Sequence, residues 1–311
     1  MKNVVNPHGR QNGGSRGDHI KLDNTVFYDR KKLRGEKVLH NGKTYEVSTL
    51  KIIKSKDTIE VYDYEKPVIL NQVHFKTKMD KPLNDLPPEV REKIEKEKLR
   101  RKAEYKRRSA INAINNIRRL VDCNFNSKSK FITLTFADNS DIDINDIKQT
   151  HNIFKCFIQR LKRYFNKLKY VAIPEFQDKK QRGAIHYHMI SNLPFTPNEI
   201  LAKIWRYGFV NIKSIEQVKN VGAYLAKYLA KNIDDNRFGS AKKVLRSKYL
   251  QQPEVVYSKE ALKIIDKHNL KNRVPNYVKK YKSERHGGNI TISLYDLKNP
   301  NPPRIDSNDR Q

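Results

Sequence analysis

His186-Tyr187-His188 lies in AIHYHMIS, a run of apolar, β-branched and aromatic residues that reads as a strand. Residues two apart on a strand point to the same face, so both imidazoles converge on one spot. Residues 169 to 177 and 184 to 191 read as a hairpin around the polar stretch DKKQRG. With the turn centred on Lys180 and Gln181, Glu175 lies opposite His186 and adds a carboxylate to the pair. A slip of one residue exchanges Glu175 for Gln177 or Phe176, and Pro174 favours an edge strand or a bulge. The neighbours on this face, Val171, Ile173 and Ile190, are apolar, so three titratable groups among them are costly without a shared partner. A divalent metal is such a partner. Two imidazoles and one carboxylate with open positions suit Mg²⁺ or Mn²⁺ engaged with a phosphate oxygen, and zinc is compatible with the same ligand types.

A second constellation is YLAKYLAK, residues 224 to 231. Read as a helix, it puts Tyr224 and Tyr228 on one face with Lys227 beside them. A tyrosine can attack phosphorus and leave a covalent phosphoester that retains the energy for rejoining. Its free pKa of about 10 requires help at neutral pH, which a polarised phosphate and a nearby ammonium supply. With nine histidines and 16 tyrosines in 311 residues, His-x-His arises by chance about 0.26 times and Tyr-x-x-x-Tyr about 0.8 times, so the weight falls on their conjunction.

These residues need a scaffold. FITLTF, at 131 to 136, predicts a strand, followed by a helix to about Leu168 whose Ile147, Phe154, Ile158, Leu161, Phe165 and Leu168 mark one buried face. After the hairpin, Thr196, Pro197 and Glu199 read as a capping box opening a helix. GFVNIKSI predicts another strand, and a helix from about Ile215 to Lys231 completes a βαββαβα order. The expected class is therefore α+β, a central antiparallel sheet with helices packed on it.

Outside this core, residues 1 to 24 read as a disordered arm, rich in Gly, Asn and Arg. Residues 25 to 87 read as a small N-terminal β module and linker, with an Asn41-Gly42 hairpin turn and Pro82, Pro87 and Pro88 as punctuation. Residues 88 to 255 form the expected core domain, led by a helix from Pro88 to near Val121. Its stretch from Lys98 to Arg108 carries seven basic residues and one acidic, either a solvated face or a phosphate contact. Residues 256 to 311 read as a C-terminal helix, Ser258 to Tyr281, and a polar tail in which NITISLYDL can form one more strand.

Lys and Arg number 64 against 34 Asp and Glu, a formal charge of +30. That surplus implies a polyanionic partner, and each neutralised phosphate adds affinity by counterion release. The sequence shows no signal-like apolar stretch, membrane span or Lys-rich amphipathic helix with a continuous apolar face, so a cytoplasmic protein with no membrane partner is expected. Cys123 and Cys156 form no CxxC pair and read as reduced packing residues rather than a disulfide or zinc site.

In order, FITLTF, HYH and YLAKYLAK resemble the three motifs of the HUH endonucleases, specifically the rolling-circle replication initiators of plasmids and single-stranded DNA phages. The likeness spans about residues 105 to 255, including RGAIHYH and RSKYLQQPEVV. It implies an HUH-type core in which His186, His188 and Glu175 hold the metal, Tyr224 is the attacking nucleophile and Lys227 orients phosphate or metal. The paired tyrosines are similar to those of small icosahedral phage initiators, which makes Tyr228 a second nucleophile. Tyr187 stands where the family has an aliphatic residue. The implied partners are single-stranded and origin DNA, with host helicase and polymerase, since no GxxxxGK[ST] phosphate loop is present. Three alternatives remain: a conjugative relaxase, whose tyrosine precedes the histidines; an HUH transposase, which is shorter; and a non-catalytic single-stranded nucleic-acid binder.

Overall fold

The computed structural model describes residues 37–40, 43–70, 87–138, 142–178, 183–218, 220–283 and 286–300. The elements in chain order are β1 (Lys37–His40), β2 (Lys43–Ser55), β3 (Thr58–Ile69), α1 (Pro88–Asn124), β4 (Lys130–Leu134), α2 (Ile147–Tyr164), β5 (Tyr170–Gln177), β6 (Ala184–Ser191), α3 (Asn198–Trp205), β7 (Val210–Ser214), α4 (Val221–Asn232), β8 (Leu245–Arg246), β9 (Glu254–Tyr257), α5 (Ser258–Lys267), β10 (Tyr277–Ser283) and β11 (Gly288–Asp296). Two antiparallel sheets result. One compact unit combines residues 1–96 with 253–311, and the other is Glu97–Gln252.

In the second unit the sheet order is β7-β4-β6-β5-β8, and from β4 to α4 the elements follow β-α-β-β-α-β-α. Alternation along the strands divides their side chains between two cores. Ile132, Leu134, Ala172, Phe176, Ile185, Tyr187 and Met189 face α2 and α3, where Phe154, Phe157, Leu161, Leu201 and Trp205 are buried. Phe131, Val171, Ile173 and Ile190 face the other way, against Ile117, Leu120 and Val121 of α1 and Leu225 and Leu229 of α4. Burying a side chain of this size contributes about 1.5–3 kcal/mol, so both layers of helices are held firmly.

In the first unit the sheet order is β1-β2-β3-β11-β10, with β9 also paired to β2. A short hairpin is marginal in water, and here strands from the C-terminal chain complete the sheet. The α5 helix covers one face, around Leu50, Ile52, Ile59, Ala261 and Leu270.

Several boundaries differ from expectation. The helix expected from Ser258 to Tyr281 ends at Lys267, because Asn269 takes a left-handed φ of 50° and Tyr277–Ser283 pairs as a strand with β11. Pro275, which has no N–H to donate, separates the two. The expected capping box does not form. Thr196 Oγ1 donates to Pro194 O, α3 has no side-chain cap, and Asn198 Oδ1 accepts from Ile212 N at 3.0 Å instead. The tyrosine helix starts at Val221 rather than Ile215, capped by Asn220, whose side chain accepts from Ala223 N at 2.7 Å. Cys123 is buried, whereas Cys156 is exposed and is not a packing residue. The expected N-terminal arm, the Asn41-Gly42 turn, Pro82 and the tip of the DKKQRG turn lie outside the described residues. Among the described residues no helix is long and apolar enough to cross a membrane.

Candidate functional site

The hairpin of β5 and β6 sets the register on which the site depends. Glu175 pairs with His186, Ile173 with His188 and Val171 with Ile190. Pro174 is tolerated because β8 flanks β5 only at Val171 and Ala172, which leaves the outer edge at Pro174 without a paired strand among the described residues. The inner neighbour is β4, where Thr133 faces His188 and Phe131 faces Ile190.

On this face His188 Nε2 lies 2.6 Å from Glu175 Oε2, and Lys231 Nζ lies 3.1 Å from Glu175 Oε1. Thr133 Oγ1 is 3.4 Å from His188 Nδ1. Burial opposes the charge on Glu175, but contacts with His188 and then Lys231 outweigh it and hold the carboxyl below its usual range.

The tyrosines are placed by α4, where Leu225 and Leu229 are buried against the sheet while Tyr224 and Tyr228 look along it. The Tyr228 ring stacks on His188 at 3.9 Å, and Phe131 contacts Tyr224 and Tyr228 at centroid distances of 4.9 and 5.5 Å. The two tyrosine rings are 6.1 Å apart. Lys227 Nζ lies 4.1 Å from the Tyr224 ring centre and 5.1 Å from that of Tyr228, close enough for cation–π attraction. Burial, reinforced by the neighbouring Tyr224 hydroxyl, pushes Tyr228 well above the ordinary tyrosine range. Its hydroxyl is therefore protonated at neutral pH and needs a proton acceptor to attack.

Both ends of α4 are fixed. At its start, Gly222 N donates to Asp122 Oδ1 at 3.1 Å. A Cβ at Gly222 would lie 2.4 Å from Arg118 O and 2.3 Å from Asp122 Oδ1, so only glycine permits this approach to α1. At its end, buried Asn232 donates through Nδ2 to Pro174 O at 3.2 Å, which ties the tyrosine helix to the strand carrying Glu175. Lys243 Nζ donates to the carbonyls of Asn232, Ile233 and Asp235, completing the helix terminus.

Of the expected site residues, Glu175 and His188 touch, Tyr228 stacks on His188, and Lys227 lies over both tyrosine rings. His186 occupies the register position opposite Glu175. Among the described residues, no group of three or more His, Cys, Asp or Glu is gathered as a metal cage. The carboxylate oxygen and imidazole nitrogen that do meet are donor types that fit a divalent ion. Tyr187 points to the opposite core, 2.8 Å from His151 Nδ1.

Sequence reasoning missed Lys231, Thr133, Phe131 and Asn232 as parts of the site. Lys231 was accessible in principle, because it lies four residues after Lys227 on the same helix. Thr133 and Phe131 require the pairing of β4 with β6, which local pattern does not give.

Residues 129–233 match the model of a replication-associated protein family, that of ORF2 and the gene-2 protein. The match covers about a third of the chain and contains β4 through α4, with all six expected site residues. No curated protein and no solved structure matches the chain.

Proposed function

We propose that the chain is a replication initiator of the HUH type that nicks origin DNA by tyrosine attack on a phosphodiester held beside Glu175, His186 and His188. The observation that carries this reading is the stacking of Tyr228 on His188, with Glu175 at 2.6 Å from the same imidazole. A nucleophile of the right type thus sits on the ligand cluster within the segment that matches replication-associated proteins.

In this mechanism a tyrosine oxygen bonds to phosphorus as the bond to the 3′ oxygen breaks. The 3′ oxygen takes up a proton and becomes a primer hydroxyl, and the 5′ end stays on the protein as a phosphotyrosine. A Mg²⁺ or Mn²⁺ ion held by Glu175, His186 and His188 would withdraw charge from the phosphate. Lys227, over both rings, stabilises negative charge as the phenolic proton leaves. Tyr224 makes the first cut and Tyr228 the second, and reversal of each attack rejoins ends without external energy. Single-stranded and origin DNA are the substrates, while host helicase and polymerase separate and copy the strands.

A second reading exchanges the tyrosines. It is favoured by Tyr228, rather than Tyr224, being the ring in contact with His188. The test of the common proposal is nicking of single-stranded DNA from the chain's own replicon. Cleavage should require Mg²⁺ or Mn²⁺, stop in chelator and be lost in His188→Ala. Metal-independent cleavage by that variant contradicts the site.

A further inference from the structure

The first unit carries a pattern that the cutting site does not use. The α5 helix covers one face of its six-stranded sheet, and the register defines what the other face presents. Tyr257, Lys51, Tyr62, Ile292 and Lys279 form one row across five strands. Tyr64, Ile290 and Tyr281 form the next row, while Glu60, Leu294 and Tyr277 lie on the other side of the first. The contacts agree with the register. Lys51 Nζ lies 5.4 Å from the Tyr62 ring centre and 5.8 Å from that of Tyr257, the Tyr62 and Tyr64 rings stack at 6.4 Å, and Lys279 Nζ lies 5.5 Å from the Tyr281 ring.

Five tyrosines and two lysines therefore share one sheet face. Tyr277 is 56% exposed and Tyr281 40% exposed. Along β10 the order on this face is Tyr277, Lys279, Tyr281, with roughly 7 Å between successive residues. The whole strand, YVKKYKS, holds three lysines and no acid. Glu60, on the same face, is buried and accepts from the Tyr62 hydroxyl at 3.0 Å.

Flat aromatic rings alternating with ammonium groups match the chemistry of an unpaired strand, whose bases offer π faces and whose phosphates offer charge. A duplex offers the charge but keeps its base faces stacked. We propose that this sheet face, centred on Tyr62, Tyr277, Lys279 and Tyr281, is a stacking platform for single-stranded DNA. The inference extends the DNA partner proposed above and does not depend on the cutting chemistry, since a chain unable to nick would bind the same way. The chain's formal charge of +30 draws the strand in, and the tyrosines discriminate unpaired from paired DNA.

The test uses the full chain and a short oligothymidylate, read by fluorescence anisotropy. Replacing Tyr277 and Tyr281 together with Ala should lower affinity about tenfold, as expected for loss of one base-stacking contact of about 1.4 kcal/mol. Replacing both with Phe should leave affinity within about twofold, because the rings remain. An abasic strand of equal length should bind the wild type and the Ala variant alike. Cleavage at saturating DNA should persist in both variants, which separates failure here from failure of the nicking proposal. Iodouracil photocrosslinking of the wild-type chain should map to β10 or to the segment containing Tyr62. Unchanged affinity in the Ala variant, equal loss toward the abasic strand or crosslinks confined to residues 97–252 would overturn the platform. So would a wild-type dimer that the Ala variant loses, which would make this face a contact between copies.

Discussion

Gly222→Ala tests how tightly the tyrosine helix must sit. The added methyl would meet Arg118 O at 2.4 Å, about 1 Å short of the 3.4 Å at which such contact becomes ordinary. Asp122 Oδ1, at 2.3 Å, can rotate away, but the Arg118 oxygen belongs to the backbone of α1. The start of α4 must therefore move outward by about 1 Å, with Tyr224 only two residues further on. Overpacking costs about 1–3 kcal/mol, while alanine returns at most about 1 kcal/mol of helix propensity, so the net loss of stability is about 0–2 kcal/mol. Displacement of a reacting group by about 1 Å can cost about 10²-fold in rate. Rate is therefore the more sensitive readout. Denaturant unfolding should show a small shift, and single-turnover nicking should fall about 100-fold. Wild-type cleavage by Gly222→Ala would refute the reasoning that α4 is held at this distance to place the tyrosines.

Asn232→Leu should destabilise the chain by about 1–3 kcal/mol in urea unfolding, because it removes the donor to Pro174 O and leaves a buried carbonyl unsatisfied. Burial pushes the His151 ring below its ordinary range, although the accepting carbonyl of Lys242 works the other way. The stability contributed by neutral His151 is therefore fully present above about pH 6.5 and is lost as pH falls through the lowered folded value; His151→Gln should flatten the decline in melting temperature below that pH. A fragment spanning Glu97–Gln252 should unfold cooperatively, whereas residues 88–282 should aggregate, since that fragment keeps β9 and β10 but loses β1 to β3 and β11; light scattering during thermal unfolding distinguishes them.

The second unit was largely legible in the sequence because its signals are local. Alternation in AIHYHMIS, the helical spacing of Ile147, Phe154, Ile158 and Leu161, and the polar turn between Gln177 and Ala184 each act within a few residues. The register placing Glu175 opposite His186 followed from the turn length alone. The first unit was less legible, since β3 pairs with β11 across the whole intervening domain and no neighbouring residue encodes that partner. Residues 277 to 283 read as helix because a lysine-rich, strongly exposed strand shows little alternation; β11 decides its state. The links that hold the site, Asn232 to Pro174 and Asp122 to Gly222, join residues 58 and 100 positions apart and were invisible to any local reading.

The central claim is tested most directly by capturing the covalent adduct. Single-stranded DNA from the chain's own replicon, labelled downstream of the nick, should be incubated with Mg²⁺ or Mn²⁺ and the full chain. After digestion, the DNA-bearing peptide should be sequenced by mass spectrometry. The account predicts a 5′-phosphotyrosine at Tyr224, a second adduct at Tyr228 when the origin is regenerated, and none in the double Phe variant. First attachment at Tyr228 would favour the exchanged order. An adduct surviving in the double variant, or cleavage with no covalent link to protein, would contradict tyrosine attack at this site.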